Sequence, residues 1–189
     1  MSIDELSMEE KKRLLQIARQ TISKHLKNGK TERKQADTAA LAAPCGAFVT
    51  IHKKAMLRGC IGTFVSDRPL VDTVQEMAIS ASTKDPRFAP MSEDELGEVD
   101  LEISVLSPLR RISDPTEIEV GRHGIFITRG FYSGVLLPQV ATEQGWDRDT
   151  FLQQTCIKAG LPTDAWKDPA TKIEIFEAQV FGENDINGQ

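Results

Sequence analysis

Met56-Leu57-Arg58-Gly59-Cys60-Ile61-Gly62-Thr63-Phe64 sets a cation, a thiol and a hydroxyl around two glycines at the end of an apolar run. Just upstream, Cys45-Gly46-Ala47-Phe48-Val49-Thr50-Ile51-His52 has the β-branched and aromatic content of a strand. Lys53-Lys54 between them predicts a turn, and Ala55 to Ile61 predicts a returning strand. The two make an antiparallel hairpin. On this reading the motif starts on a strand and empties into a loop at Gly62-Thr63, a place where side chains with chemical roles often sit. The glycines mark a point of close backbone approach.

Working outward, Ser7-Met8-Glu9-Glu10 is a capping box. Leu14 or Leu15, Ala18, Ile22 and Leu26 then recur at helical steps, predicting a helix over 8–27 that stops at Asn28-Gly29. Thr38 to Ala43 predicts one helical turn before Pro44. Asp67-Arg68-Pro69 opens a further helix with Leu70, Val74, Met77 and Ala81 on its buried face. Asp85-Pro86-Arg87-Phe88-Ala89-Pro90 is a loop stiffened by two prolines. Ser92 to Glu95 is a second capping box, and Val99 to Leu106 alternates as a half-buried strand.

The second half predicts an irregular Pro108 to Asp114, a short strand at Ile118 and Val120, and a turn at Gly121-Arg122-His123-Gly124. Ile125 to Ile127 and Gly134 to Leu137 pair across Arg129-Gly130, and Pro138 to Ala141 ends that strand. Asp147 caps a helix with Phe151, Leu152 and Ile157 as its apolar residues, stopped by Lys158, Gly160 and Pro162. Ile173 to Phe181 predicts a last strand. Helices and hairpins fall in separate runs, which points to an α+β domain with a mostly antiparallel sheet flanked by helices. The domain is expected over 8–183, in two sub-lobes, with 1–7 and 184–189 as tails.

The chain has 189 residues, a net charge of -5, 40% apolar and 27% charged residues, the balance of a soluble globular protein. Its one basic run, Lys24 to Lys34, suits the solvated end of a helix, so nucleic-acid binding is disfavoured. Cys45, Cys60 and Cys156 are odd in number and widely spaced, which is no disulfide framework, and no zinc-ligand cluster occurs. The N-terminus lacks an apolar signal region, and no apolar run nears the ~18 residues of a membrane span. A reduced, cytoplasmic protein without a membrane partner is expected.

Cys60 admits two readings. It is a nucleophile or thiol ligand if a cation or base stands near, and an inert sheet residue otherwise. Arg58, two residues away, shares its face on a regular strand. The guanidinium of Arg58 either pairs with a carboxylate such as Asp85 or clamps a small anionic ligand, and Arg87 carries the same alternatives. Gly59 and Gly62 would line such a ligand, with Thr63 as hydroxyl donor. Of the three histidines, His123 between two glycines is the candidate proton carrier, or else a plain turn residue. Asp100 and Glu102 read as a solvated strand face rather than an acid/base pair, and His52 as a hairpin-tip residue.

Leu57 to Phe64, Asp85 to Phe88, Gly121 to Gly124, Leu136 to Ala141 with Gly145-Trp146-Asp147, and Lys158 to Leu161 together resemble the AMME (Alport syndrome chromosomal region) protein family. Its prokaryotic branch is called AmmeMemoRadiSam system protein A. The resemblance covers about Lys11 to Glu183. It implies two unequal lobes with a groove between them. It also implies a catalytic or binding role for the motif around Cys60, and a Memo-like protein and a radical SAM protein as partners. It implies no established reaction, so an enzyme acting on a small anionic molecule and a non-catalytic adaptor both stand.

Overall fold

The computed structural model describes residues 5–187, and the chain divides into two compact units. One ends at Leu106 and resumes at Gln179; the other is continuous from Ser107 to Ala178. Both are helices on antiparallel sheet, so the fold class is α+β.

In the first unit, α1 (Met8–Asn28) starts where expected. Ser7 Oγ accepts the Glu10 N–H, and the Glu10 carboxylate accepts the Ser7 N–H at 2.9 Å. Gly29 takes the left-handed conformation, φ 67°, that closes the helix. Next come α2 (Ala39–Ala42), β1 (Ala47–Lys53), β2 (Met56–Thr63), α3 (Leu70–Thr83), a 3-10 turn over Glu93–Glu98 and β3 (Val99–Leu106). The sheet order is β2-β1-β3. The odd-numbered residues of β1, Ala47, Val49 and Ile51, are fully buried, against α3 and with Leu14, Ala18 and Ile22 of α1 in the same core. The even-numbered face, with Phe48, Thr50 and His52, is half-buried.

The hairpin turn lies one residue later than expected. Lys53 pairs with Met56, so Lys54 and Ala55 turn the chain, at φ 52° and 61°. The type I′ turn of a two-residue hairpin requires positive φ at both central residues. Neither residue here advertises that, so the register was not legible. The motif also stays in the sheet longer than expected: Gly62 pairs with Phe48 and Thr63 with Ala47, so neither lies in a loop.

The ends taken for tails contribute to this unit. Leu6 is buried and its N–H donates to Gln179 Oε1 at 2.9 Å. After the last strand, α6 (Glu183–Asn187) packs Ile186 on the core, and Glu183 receives Arg19 from α1 through two bonds. Arg19 also donates to the carbonyls of Leu96 and Val99. Residues 1–4, 188 and 189 lie outside the described part.

The second unit holds β4 (Arg110–Ile112), β5 (His123–Arg129), β6 (Tyr132–Leu136), α4 (Pro138–Glu143), α5 (Arg148–Lys158) and β7 (Lys172–Gly182), whose last four residues belong to the first unit. Its strands run β4-β7-β5-β6. Ile125, Ile127, Phe151, Leu152, Cys156, Ile173 and Ile175 form the core. Several expectations are corrected here. The stretch 108–114 contains β4, and Ile118 is buried without being in a strand. Pro138 opens α4, where its missing N–H costs nothing at the first helical position. On α5 Phe151 and Leu152 are buried as expected, together with Thr155 and Cys156, while Ile157 is half exposed.

Candidate functional site

The register of β1 with β2 decides which motif side chains meet. Thr50 faces Cys60 and Ile51 faces Gly59, but His52 faces Leu57. Arg58 is the extra residue of a bulge, and a bulge re-aims the side chain it carries. The regular strand that would put Arg58 and Cys60 on one face is therefore broken. Cys60 lies with Thr50 on the half-buried face, and the Thr50 hydroxyl donates to Sγ at 3.3 Å. The guanidinium of Arg58 forks instead onto Glu95, Nε to Oε1 at 3.0 Å and Nη2 to Oε2 at 2.9 Å. The Lys53 ammonium joins them at 3.2 Å. The partner of Arg58 is Glu95, not Asp85.

Asp85 is buried and holds Arg87. Its carboxylate accepts the Arg87 N–H, Nε at 2.9 Å and Nη2 at 2.7 Å. It also accepts the Cys60 N–H at 2.8 Å, while Arg87 Nη2 donates to the Cys60 carbonyl at 3.2 Å. Asp85 and Arg87 thus grip both backbone groups of Cys60 at the outer edge of β2, as a neighbouring strand would. The turn that presents them is built locally. Phe88 N–H returns to the Asp85 carbonyl at 3.1 Å, with Pro86 fixing the first central residue. The Phe88 ring lies 6.0 Å from the Arg58 guanidinium carbon and 5.5 Å from that of Arg87.

The electrostatics follow the pairing. Arg87 is the main reason the Asp85 carboxyl is held well below the usual carboxylate range, against the opposing effect of burial. Asp85 in turn raises Arg87. Arg58 is the main reason Glu95 is lowered to about 2. A carboxylate depressed on folding stabilises the native state above its unfolded pKa and loses that contribution as pH falls through its folded value. Glu95→Gln is therefore expected to lower the unfolding free energy by about 1–2 kcal/mol at pH 6, with the difference from the parent closing between roughly pH 4.5 and 2. Urea denaturation at three pH values checks this, and a difference that persists at pH 2 would contradict it.

The two motif glycines are explained by the protein itself. A Cβ on Gly59 would stand 2.2 Å from the carbonyl oxygen of Ala81 in α3, and one on Gly62 would stand 2.2 Å from the Phe48 ring. Thr63 shares the buried face with Ala47, opposite to Cys60. Its hydroxyl donates to the Val65 carbonyl at 2.8 Å, beside a cavity of about 380 Å³ lined also by Arg68, Glu76 and Met77. His123 belongs to the second unit, opens β5 rather than a turn, and is buried. Its Nδ1 accepts the Glu119 N–H at 3.1 Å, and burial lowers its pKa. The structure brings together Cys60, Asp85 and Arg87, and sets Arg58 beside them through Phe88.

Sequence reasoning missed Glu95, which sits 37 residues from Arg58. It also missed Thr50, although its place in the strand opposite the motif was a usable signal once the turn was known.

The comparisons agree with this architecture. A protein of Methanopyrus kandleri is 45% identical over 98% of this chain and 94% of its own length, and one of Methanothermobacter thermautotrophicus is 45% identical over 95% and 97%. The crystal structure of an uncharacterized protein from Pyrococcus horikoshii superposes with a TM-score of 0.83 at 40% identity, covering 94% of this chain and 93% of the other. No helix among the described residues is long and apolar enough to cross a membrane. The AMMECR1 family description matches residues 15–181, so this chain, with Cys60 pinned at its sheet edge, belongs to the AMMECR1 family.

Proposed function

We propose that the protein is a cytoplasmic enzyme, or the subunit of one, that presents the Cys60 thiol to a small molecule on the half-buried face of the β2-β1-β3 sheet. The observation that carries this reading is the setting of Cys60. Cys60 is half-buried where Cys45 and Cys156 are buried, its sulfur receives a hydroxyl donor, and its backbone N–H and carbonyl are gripped by Asp85 and Arg87. A donor aimed at sulfur steadies negative charge there, and a fixed peptide holds the nucleophile in one geometry. Arg58 and Arg87 would meet an anionic ligand only by sharing or exchanging their carboxylates, so the anion is a secondary feature of the proposal. Gly59, Gly62 and Thr63 support the strand that carries Cys60, and His123 has no assigned step.

Peptide-mapped labelling of the native protein with iodoacetamide tests the reading. Cys60 is expected to react well ahead of the buried Cys45 and Cys156. Thr50→Val, which keeps shape and removes the donor, is expected to slow labelling about three- to tenfold. A Cys60 no more reactive than the buried pair would end the proposal.

A second reading is an adaptor within an AmmeMemoRadiSam system, docking on a Memo-like or radical SAM protein. Met56, Leu57 and Val65 support it, standing exposed at the two ends of β2. Co-purification lost in Met56→Glu but kept in Cys60→Ser would favour it.

A further inference from the structure

The even-numbered face that carries Cys60 carries more than a thiol. In β1, Thr50 and His52 point to the same side, and β1 is in regular register with β3 throughout. Two cross-strand rows result. One is Cys60, Thr50 and Glu102; the next is Leu57, His52 and Asp100. Directly opposed residues hold their Cβ atoms about 4.5–5.5 Å apart. His52 lies about 7 Å along the strand from Thr50, the residue whose hydroxyl already touches Sγ. An imidazole spans much of that distance by a change of rotamer.

The ring is free to make it. Neither His52 nor Glu102 forms a side-chain hydrogen bond or ion pair among the described residues, and both are half-buried. Asp100, opposite His52, forms no ion pair within 4 Å among the described residues, and its charge contributes to raising the pKa of Arg19. The bulge at Arg58 replaces the expected neighbour of His52 with Leu57 and sends the nearest guanidinium away to Glu95. A thiol, an imidazole and two carboxylates therefore share one half-buried sheet face, with the Arg87 guanidinium held beside the thiol end of it on the Cys60 carbonyl.

We infer that His52 is the proton acceptor for Cys60, with Asp100 across the β1–β3 pair orienting the imidazole, so that the face bears a cysteine–histidine–carboxylate constellation. The inference rests on the reading of Cys60 as a reactive thiol. In reaction with an electrophilic carbon, imidazole takes the proton from Sγ as the sulfur–carbon bond forms. With iodoacetamide the carbon–iodine bond breaks, iodide leaves, and the imidazolium returns its proton to water. The ligand class is a small molecule with an electrophilic carbon.

The experiment measures the second-order rate of Cys60 modification by iodoacetamide at neutral pH in the full chain. His52→Ala is expected to slow it by about tenfold or more, and free imidazole in the buffer is expected to restore most of the loss. Asp100→Asn is expected to slow it by a smaller factor, with no gain from imidazole. Rescue by imidazole separates proton transfer from a merely structural effect, and His52→Gln replaces the alanine variant if that fails to fold. A His52→Ala rate within about twofold of the parent, or acceleration of parent and variant alike by imidazole, overturns the inference while leaving the reactive thiol in place. A parent Cys60 that does not react overturns both.

Discussion

Gly59→Ala is expected to destabilise the protein by about 3 kcal/mol, which for a chain of this size lowers the melting temperature by roughly 6–12 °C. The cause is geometric. The added methyl would stand 2.2 Å from the Ala81 carbonyl oxygen, and that oxygen is helix backbone with no rotamer to yield. Either β2 leaves β1 or the last turn of α3 moves, and Ala81 of that turn is in the core while Ile61 of β2 packs against it. Asp85 follows α3 by two residues, so a shift there also loosens the grip on Cys60. Gly97→Ala is the control, because a Cβ there meets nothing within 4 Å, and it should stay within about 0.5 kcal/mol of the parent. Thermal unfolding of the two variants side by side decides the matter. Equal melting temperatures would mean that the backbone contact is softer than the structure indicates.

Replacing Asp85 by alanine should cost about 2–3 kcal/mol at neutral pH. The carboxylate is buried and accepts from Arg87 and from the Cys60 N–H. Removing it strands the donor at the edge of β2, although Arg87 is exposed enough to recover water, which keeps the loss below that of a fully buried pair. Because Arg87 depresses the carboxyl, its contribution is complete above the unfolded pKa near 4 and diminishes as pH falls below it. Parent and variant should therefore converge in strong acid. A second measurement isolates the edge: exchange of the Cys60 amide proton should quicken at least about tenfold in the variant. Unchanged exchange would show that Asp85 is not what protects that group.

The parts of this fold that were legible are those whose signals are local. The capping box of α1 and its three- and four-residue repeat lie within a few turns of each other, and so does the alternation of β3. The site was legible as a location but not as a set of partners. Arg58 visibly needed a carboxylate, but the choice between Asp85 and Glu95 depends on a bulge, and the bulge depends on where the hairpin turns. Lys54 and Ala55 disclose nothing of their left-handed backbone. Gly121 to Gly124 misled in the other direction. Its glycines suggested a turn around His123, whereas the turn runs from Val120 to Arg122, and the histidine has begun a strand. The strand β4 was hidden by its three-residue length, since Arg110-Arg111-Ile112 is too short to display a period.

The chain leaves its first unit at Leu106 and re-enters it at Gln179, and Arg19 meets Glu183 across 164 positions of sequence. On a translating ribosome the N-terminal segment must wait for nearly the whole polypeptide to emerge before α1 can be fastened to its C-terminal partner. The intervening 107–178 stretch depends on no such late arrival. Nascent chains should therefore gain order first in the middle of the sequence, and a stop codon placed shortly before Glu183 should release a product whose opening helix has lost its anchor.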